Sequence, residues 1–357
     1  MHTPSLDDVR RHAVARQFQL QPLHHALEAL GFVQADPIRA PARAQDLTLR
    51  HRAANYRAGD LERLYTSLPI EEDVFINYGF VTRRVSALMH PREGAGLQPR
   101  LSNKQAQAVL AFIRERGEVH PREVDARFSR GRVVNFWGGQ SSATTHLLGL
   151  MHYKGLLRVA RRDTGIRIYA AHQHQPAPTA AERRDRLDAL VDVLIRKYAP
   201  LPSSSLSMVV RRLRYAVPQW SHLITKALLR AKERLASAKV DGDTWYWPAD
   251  EAAGTNEPEE VVRFLAPFDP LIWDRRKFEH LWGWGYRFEA YTPVAKRKWG
   301  YYALPLLWRD RVIGWVNVSN RGQVDAGYVS GRAPRDRAFK PAFEAEVERL
   351  KWFLIGV

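Results

Sequence analysis

Leu156-Leu157-Arg158-Val159-Ala160, then a turn at Asp163-Thr164-Gly165, then Ile166-Arg167-Ile168-Tyr169, is the stretch that decides the fold. Two β-prone runs around a short turn carrying glycine predict a β-hairpin. Three helices are predicted just upstream. The first covers residues 105–117 and turns Ala108, Val109, Phe112 and Ile113 inward. The second starts at His120-Pro121-Arg122-Glu123-Val124, where proline suits a first turn. Ser141-Ser142-Ala143-Thr144-Thr145 opens the third, which carries Leu147, Leu148, Leu150 and Met151 and ends at Gly155. Three helices followed by a hairpin make a winged helix, a helix-turn-helix variant whose third helix enters a DNA groove while the hairpin touches backbone. The same module also serves purely structural roles, so DNA contact does not follow from the fold alone.

Outward from this unit the pattern changes twice. His172-Gln173-His174-Gln175-Pro176-Ala177-Pro178 reads as a linker, and helices are expected at 180–198, 203–214 and 219–236. Ser203-Ser204-Ser205-Leu206, behind Pro200 and Pro202, suggests a second helix-turn-helix, with Thr244-Trp245-Tyr246-Trp247 as a strand of its wing. Ala252-Ala253-Gly254-Thr255 is a short low-complexity stretch. Beyond about residue 260 the period shifts toward two, with strands expected at 287–291, 301–308 and 311–318 and a turn at Arg309-Asp310. A helix at 341–354 closes the chain. The expected class is α+β: tandem winged-helix (helix-turn-helix) domains followed by a small antiparallel β-sheet or barrel domain. The expected segments are 1–100, 101–175, 176–258 and 259–357.

Composition narrows the partners. The 357 residues exceed one ordinary core, and 45% are apolar, so most of the chain should fold. There is no cysteine, which removes disulfides, thiolate nucleophiles and cysteine-ligated metals. Lys and Arg number 55 against 38 Asp and Glu, a net charge of +17. Such a surplus favours a polyanion, and arginine suits phosphate forks and base edges. No apolar run reaches the length of a membrane span, and Met1-His2-Thr3-Pro4-Ser5 lacks the charged and apolar parts of a signal peptide. No membrane partner and a cytoplasmic location, beside the nucleoid, are expected.

Chemistry is concentrated at Phe32-Val33-Gln34-Ala35-Asp36-Pro37-Ile38. A helix with Leu23, Leu27 and Leu30 precedes it, and Gly31 can close that helix as a C-terminal cap. Pro37 keeps Asp36 out of the helical region, and side chains alternate along extended backbone. Gln34 and Asp36 then share a side, and an amide beside a carboxylate can hold a water, from which the carboxylate can take a proton. The same Asp36-Pro37 pair is also a good helix start, with Asp36 as N-cap and Pro37 at the first helical position. A helix is expected at 40–51, with Arg39, Arg43, Arg50 and Arg52 on or beside it. Glu71-Glu72-Asp73 reads as a solvated acidic face or a helix start. His24, His25, His172 and His174 form no convincing ligand set, so neither metal nor cofactor is expected.

Two further strings are long and specific: Ala266-Pro267-Phe268-Asp269-Pro270-Leu271-Ile272-Trp273-Asp274-Arg275-Arg276, and Tyr286-Arg287-Phe288-Glu289-Ala290-Tyr291 with Ala295-Lys296-Arg297-Lys298-Trp299-Gly300-Tyr301-Tyr302. Together with Gln34-Ala35-Asp36-Pro37 they resemble the winged-helix DNA glycosylases of the AlkZ and YcaQ type, over nearly the whole chain. The Gln-x-Asp triplet is similar to the YcaQ branch, where the AlkZ branch has Gln-x-Gln. The resemblance implies a monofunctional glycosylase that removes N7-alkylated guanine from double-stranded DNA, including the linked guanines of an interstrand crosslink. It implies that Gln34 positions the attacking water and that Asp36 activates it or steadies the sugar cation. On this reading Lys296, Arg297, Lys298 and Trp299 form a basic hairpin tip with an aromatic for a groove, and Arg39, Arg43 and Arg50 contact DNA. Phe268, Trp273, Trp282, Trp284 and Trp315 are expected in the core. A monomer is expected, with an open cleft rather than a tight base pocket. The competing expectation is a non-catalytic winged-helix transcription regulator, for which an exposed carboxylate facing DNA has no use. A metal-dependent nuclease lacks the clustered Asp, Glu or His it requires.

Overall fold

The structure, a computed structural model, describes residues 4–92, 103–128, 131–134, 140–173, 176–252, 257–319 and 322–355. The linker residues His174 and Gln175 and the low-complexity residues Ala253, Gly254 and Thr255 lie outside the described residues. The chain forms two compact units. The first gathers Met1–Leu61, Val191–Val210 and Leu228–Val357; the second gathers Glu62–Leu190 and Arg211–Ala227.

In the second unit the hairpin forms at the expected place. Strands Leu157–Asp163 and Ile166–Ala171 pair antiparallel, Asp163 facing Ile166 across Thr164-Gly165. Both turn residues have positive φ (46° and 86°), the mirrored turn whose twist matches a right-handed strand pair. Helices Asn103–Arg116, Pro121–Phe128 and Ala143–Tyr153 precede it, and Ser142 caps the third by accepting from Thr144 N at 3.2 Å. The short strand Glu118–Val119 joins the hairpin on the Ile166–Ala171 side. Val109, Ile113, Val124, Leu148, Met151, Leu157, Val159 and Ile168 form the core. Ala108 is exposed and Phe112 half-buried, so the inward stripe is narrower than expected, with Ala106 taking the place of Ala108.

Glu71, Glu72 and Asp73 correct the expectation of a solvated face. They lie on strand Ile70–Val74, paired with Tyr78–Thr82, and all three are buried. Each has cationic partners: Arg158 and Arg83 on Glu71, Arg162 on Glu72, and Arg92 with His90 on Asp73. Burial alone would raise the Asp73 carboxyl; the Arg92 charge and the His90 hydrogen bond outweigh it and hold the group well below its ordinary range.

In the first unit, helices Leu6–Ala15 and Leu23–Leu30 lead into the short strand Phe32–Gln34. Gly31 ends the second helix in the left-handed region (φ 62°), its N–H on Leu27 O at 2.8 Å, the role the sequence assigns it. The helix expected at 40–51 is confined to Ala44–Leu49, with Leu47 and Leu49 fully buried. Strands Ala236–Val240 and Asp243–Trp247 form a hairpin extended by Leu201–Pro202. A four-stranded antiparallel sheet follows in chain order, Val262–Phe264, Leu304–Trp308, Arg311–Val318 and Val324–Tyr328. The helix Phe339–Leu354 packs on its first strand. The expected strand at 287–291 does not form. That stretch is irregular and passes through a single 3-10 turn, Val294–Lys296, so the basic segment is a loop rather than a hairpin tip.

Candidate active site

Gln34 and Asp36 sit in the first unit, on backbone held from several directions. Phe32 and Val33 are fully buried, which anchors the strand, while Gln34, Ala35 and Asp36 are half-exposed. The Phe32 carbonyl accepts from the buried Lys197 ammonium. Burial, with the nearby Arg52 charge, pushes Lys197 down to about 7, while Asp269 opposes the shift. The Gln34 Oε1 accepts from the Trp273 indole N–H at 3.0 Å. An indole can only donate, so this bond fixes which end of the Gln34 amide is oxygen.

Trp273 is in turn placed by the string that carries it. Asp269 takes two hydrogen bonds from Arg52, at 2.8 and 3.1 Å, and its carbonyl accepts from Trp273 N at 2.8 Å, winding Ala266–Trp273 into a tight turn. Asp274 then caps helix Arg275–Trp282, its Oδ1 accepting from Arg276 N and Lys277 N. Lys277 reaches back to the Tyr198 carbonyl at 2.7 Å, and the Tyr198 ring lies 5.2 Å from that of Trp273. Trp273 therefore does not serve as a core aromatic alone. Its link to Gln34 spans 239 positions of sequence, and no local pattern signals it.

Asp36 does not cap a helix. Its Oδ1 accepts from Ile38 N at 2.9 Å, an aspartate turn closed over Pro37, and its own N–H donates to the Gln45 side chain at 3.2 Å. The next helix begins eight residues on, with Arg43 at its N-cap position. Among the described residues nothing bonds the second oxygen of Asp36. Burial raises the carboxyl above its ordinary value, opposed by the Ile38 N–H. A carboxylate so placed is a stronger base than an exposed one.

The expected DNA contacts divide. Arg39 is exposed and Arg43 half-buried. Arg50 is turned inward: its side chain is 4% exposed, pairs with the fully buried Glu346 at 2.9 Å and lies over the Phe353 ring. A guanidinium so enclosed has no face left for a phosphate, which corrects that expectation. Lys296 and Lys298 are exposed and Arg297 half-buried, its guanidinium over the Tyr301 ring and bonded to Thr292 O. Trp299 packs against Trp284 and Trp315, with ring centres 5.5 and 4.4 Å away, rather than standing out as a tip. The exposed aromatics of this loop are Tyr291 and Tyr301.

One buried carboxylate organises the loop. Glu289 accepts from the backbone N–H groups of Lys298, Trp299 and Gly300. Those bonds outweigh the effect of burial and hold it below its ordinary value. Gly300 has φ 127°, and a Cβ there would lie 2.1 Å from the Asn317 side chain, so only glycine fits. Lys296, Lys298, Arg276 and Arg287 line a cleft of about 700 Å³ with Tyr286 and Trp299 at its wall. Among the described residues no group of three or more His, Asp or Glu is placed to hold a metal ion.

The described residues contain no helix long and apolar enough to cross a membrane. Among solved structures, the DNA glycosylase AlkZ of Streptomyces sahachiroi superposes with a TM-score of 0.66 at 13% identity, covering 99% of this chain and 97% of that one. At that identity the likeness speaks to fold: mixed helix and small antiparallel sheets in a shared arrangement. The family described as "DNA glycosylase AlkZ-like" matches residues 27–353, nearly the whole chain. This protein is therefore an enzyme, a DNA glycosylase, and belongs to the AlkZ-like family.

Proposed function

We propose that this glycosylase excises N7-alkylated guanine from double-stranded DNA, the linked guanines of interstrand crosslinks included, and leaves an abasic site without cutting the strand. An N7-alkylated guanine already carries positive charge and needs no protonation to leave. The enzyme must supply an anion beside an oxocarbenium-like sugar and a water in place. Asp36 is that anion, and its raised basicity lets it take the proton of the attacking water. Gln34, its amide orientation fixed by Trp273, positions the water. The single observation that carries this reading is Asp36 itself: a half-buried carboxylate that caps no helix and keeps one oxygen unbonded among the described residues.

The same reading takes the helices and hairpin between Asn103 and Ala171 as one winged helix and the elements of residues 203–247 as a second, in a chain of four functional segments. Arg39, Arg43, Lys296, Arg297 and Lys298 contact phosphates. The enzyme works as a monomer in the bacterial cytoplasm, with the lesion in an open cleft that tolerates a base tied to the other strand. The test is a gel assay on duplexes bearing one N7-methylguanine or one nitrogen-mustard crosslink, with alkali revealing abasic sites. Asp36→Asn should lower excision by at least about 100-fold, the scale of a lost catalytic base, and Gln34→Ala should slow it as well. Full activity in Asp36→Asn removes the mechanism. Excision confined to other lesions removes the substrate assignment and leaves the site standing.

A further inference from the structure

Lys197 and Tyr198 end the helix Ala180–Tyr198, and between them they reach both supports of Gln34. Lys197 is 3% exposed, and its ammonium donates to the Phe32 carbonyl, two residues before Gln34. The ammonium lies 5.2 Å from the centre of the Phe32 ring and 5.5 Å from that of the Tyr198 ring. Tyr198 in turn stands against Trp273, whose indole N–H fixes the Gln34 amide. Among the described residues the Lys197 ammonium pairs with no carboxylate. Burying a cation without a counter-ion is costly, and a methionine would fill the same space without that cost. Fold stability therefore does not explain the lysine.

Buried hydrogen bonds join the two supports. The Lys197 carbonyl accepts from Gln17 Nε2 at 2.9 Å, and Gln17 Oε1 accepts from the Arg52 guanidinium at 3.1 Å. A guanidinium can only donate, so the Gln17 amide has one orientation, with both ends in use. Arg52 also grips the Asp269 carboxylate, the Asp269 carbonyl accepts from Trp273 N at 2.8 Å, and the Trp273 indole ends on Gln34 at 3.0 Å. The path leaves the strand Phe32–Gln34 at the Phe32 backbone and returns to it at the Gln34 side chain. A loss anywhere along such a circuit loosens the residue at its end, and a misplacement of about 1 Å at a reacting centre can cost about 100-fold in rate. We propose that Lys197 and Gln17 are positioning residues for excision: Lys197 holds the backbone of the strand that carries Gln34, and Gln17 ties Lys197 to the arginine behind Trp273, so that the Gln34 amide keeps its aim on the attacking water. The inference rests on the proposed role of Gln34 and adds the residues that hold it.

The experiment compares wild type, Lys197→Met, Gln17→Met, Gln34→Ala and each of the first two variants combined with Gln34→Ala. Single-turnover excision of N7-methylguanine at saturating enzyme gives the rate, and DNA affinity is measured separately. The Trp273 indole N–H is followed by NMR in tryptophan-labelled protein, its resonance assigned by its loss in Trp273→Phe. Lys197→Met should excise at least about 10-fold more slowly at unchanged DNA affinity, and Gln17→Met should slow excision in the same way. In both, the Trp273 indole resonance should move toward its position in Gln34→Ala, where its acceptor is absent. Neither double variant should be slower than Gln34→Ala, because a residue that acts through Gln34 has nothing left to hold. Should Lys197→Met fail to fold, Gln17→Met and its double variant decide the matter alone. Wild-type rates in Lys197→Met and Gln17→Met, with Gln34→Ala impaired, overturn the inference and leave Gln34 in its role. Double variants that lose the full factors of both single changes also overturn it, making Lys197 and Gln17 general supports of the fold, as does an unmoved indole resonance. Full activity in Gln34→Ala instead overturns the reading on which it rests.

Discussion

A carboxylate whose pKa is raised by the fold destabilises the fold when it ionises. For Asp36 the sign runs from burial. The folded state holds its proton more tightly than the unfolded chain, whose carboxyl has the ordinary value of 3.8. Stability is therefore greatest below that value and declines as pH rises through the higher folded value. Asp36→Asn keeps an acceptor for Ile38 N and removes the charge. At pH 7 the variant should be as stable as wild type or slightly more so, by under about 1 kcal/mol, because the group is only half-buried and solvent screens it. Urea unfolding at pH 7 and again at mildly acidic pH checks this; the difference should shrink on acidification. A variant clearly less stable than wild type at pH 7 would show that Asp36 holds the fold. At this scale the sequence singled out the two residues of the proposed site but not the groups that hold them. Proline and strand alternation are local, so the extended backbone at Gln34 and the turn at Asp36 were legible. Trp273 and Gln45 reach them through the fold, although Trp273 stands inside a string that marked the family.

Strand Ile70–Val74 shows how element-scale reading fails when charge is satisfied from a distance. Three consecutive acids look solvated because burying a carboxylate is costly. For Glu71 and Glu72 the cost is met by arginines from the hairpin Leu157–Asp163 and Ile166–Ala171, some ninety positions away, and for Asp73 by Arg92 and His90. Glu72, with no exposed side-chain surface, takes two bonds from Arg162 at 2.6 and 2.7 Å. Burial would push Glu72 up; Arg162 and Tyr78 more than reverse it. A folded pKa below the ordinary 4.5 gives stability that is present above that pH and lost as the pH falls through the folded value. Glu72→Gln leaves Arg162 and Arg167 without a counter-charge and should cost about 3 kcal/mol at neutral pH. It should also flatten the loss of stability on acidification. Denaturant midpoints from pH 7 down to pH 4 read both effects, and a cost that persists unchanged at pH 4 would assign it to packing instead. The hairpin itself was legible, since turn and strands lie within fifteen residues of one another. The irregular 286–302 loop was not, because its shape is set by Glu289 and by the Gly300–Asn317 contact rather than by alternation.

Over the whole molecule, the excess of positive charge is concentrated at the surface. Among the described residues burial hides nine acidic side chains (Asp46, Glu71, Glu72, Asp73, Asp269, Asp274, Glu289, Asp310 and Glu346) against six basic ones (Arg10, Arg50, Arg52, Arg92, Lys197 and Lys277). The exposed remainder is thus more cationic than the net charge of +17 suggests. Total charge could be read from composition. Which arginines serve the core, as Arg50 and Arg52 do, could not, because that depends on which acids the fold brings to them. It was equally hidden that Met1–Leu61 and Leu228–Val357 share one compact unit, since composition along a chain compares only neighbours. A surface of this kind binds duplex DNA by releasing counterions, each phosphate neutralised contributing about 0.9 to the slope of log K against log salt. Lys296 and Lys298 are exposed on a loop whose backbone is pinned by Glu289, so their ammonium groups can meet phosphates without ordering the chain. Lys296→Gln with Lys298→Gln should weaken binding to damaged and undamaged duplex alike and lower the slope by about two. Single-turnover excision at saturating enzyme should stay near wild type, because neither residue touches Asp36. Fluorescence anisotropy from 50 to 300 mM salt measures the slope; an unchanged slope would make the loop an ordinary surface turn and move the phosphate contacts to Arg39 and Arg43.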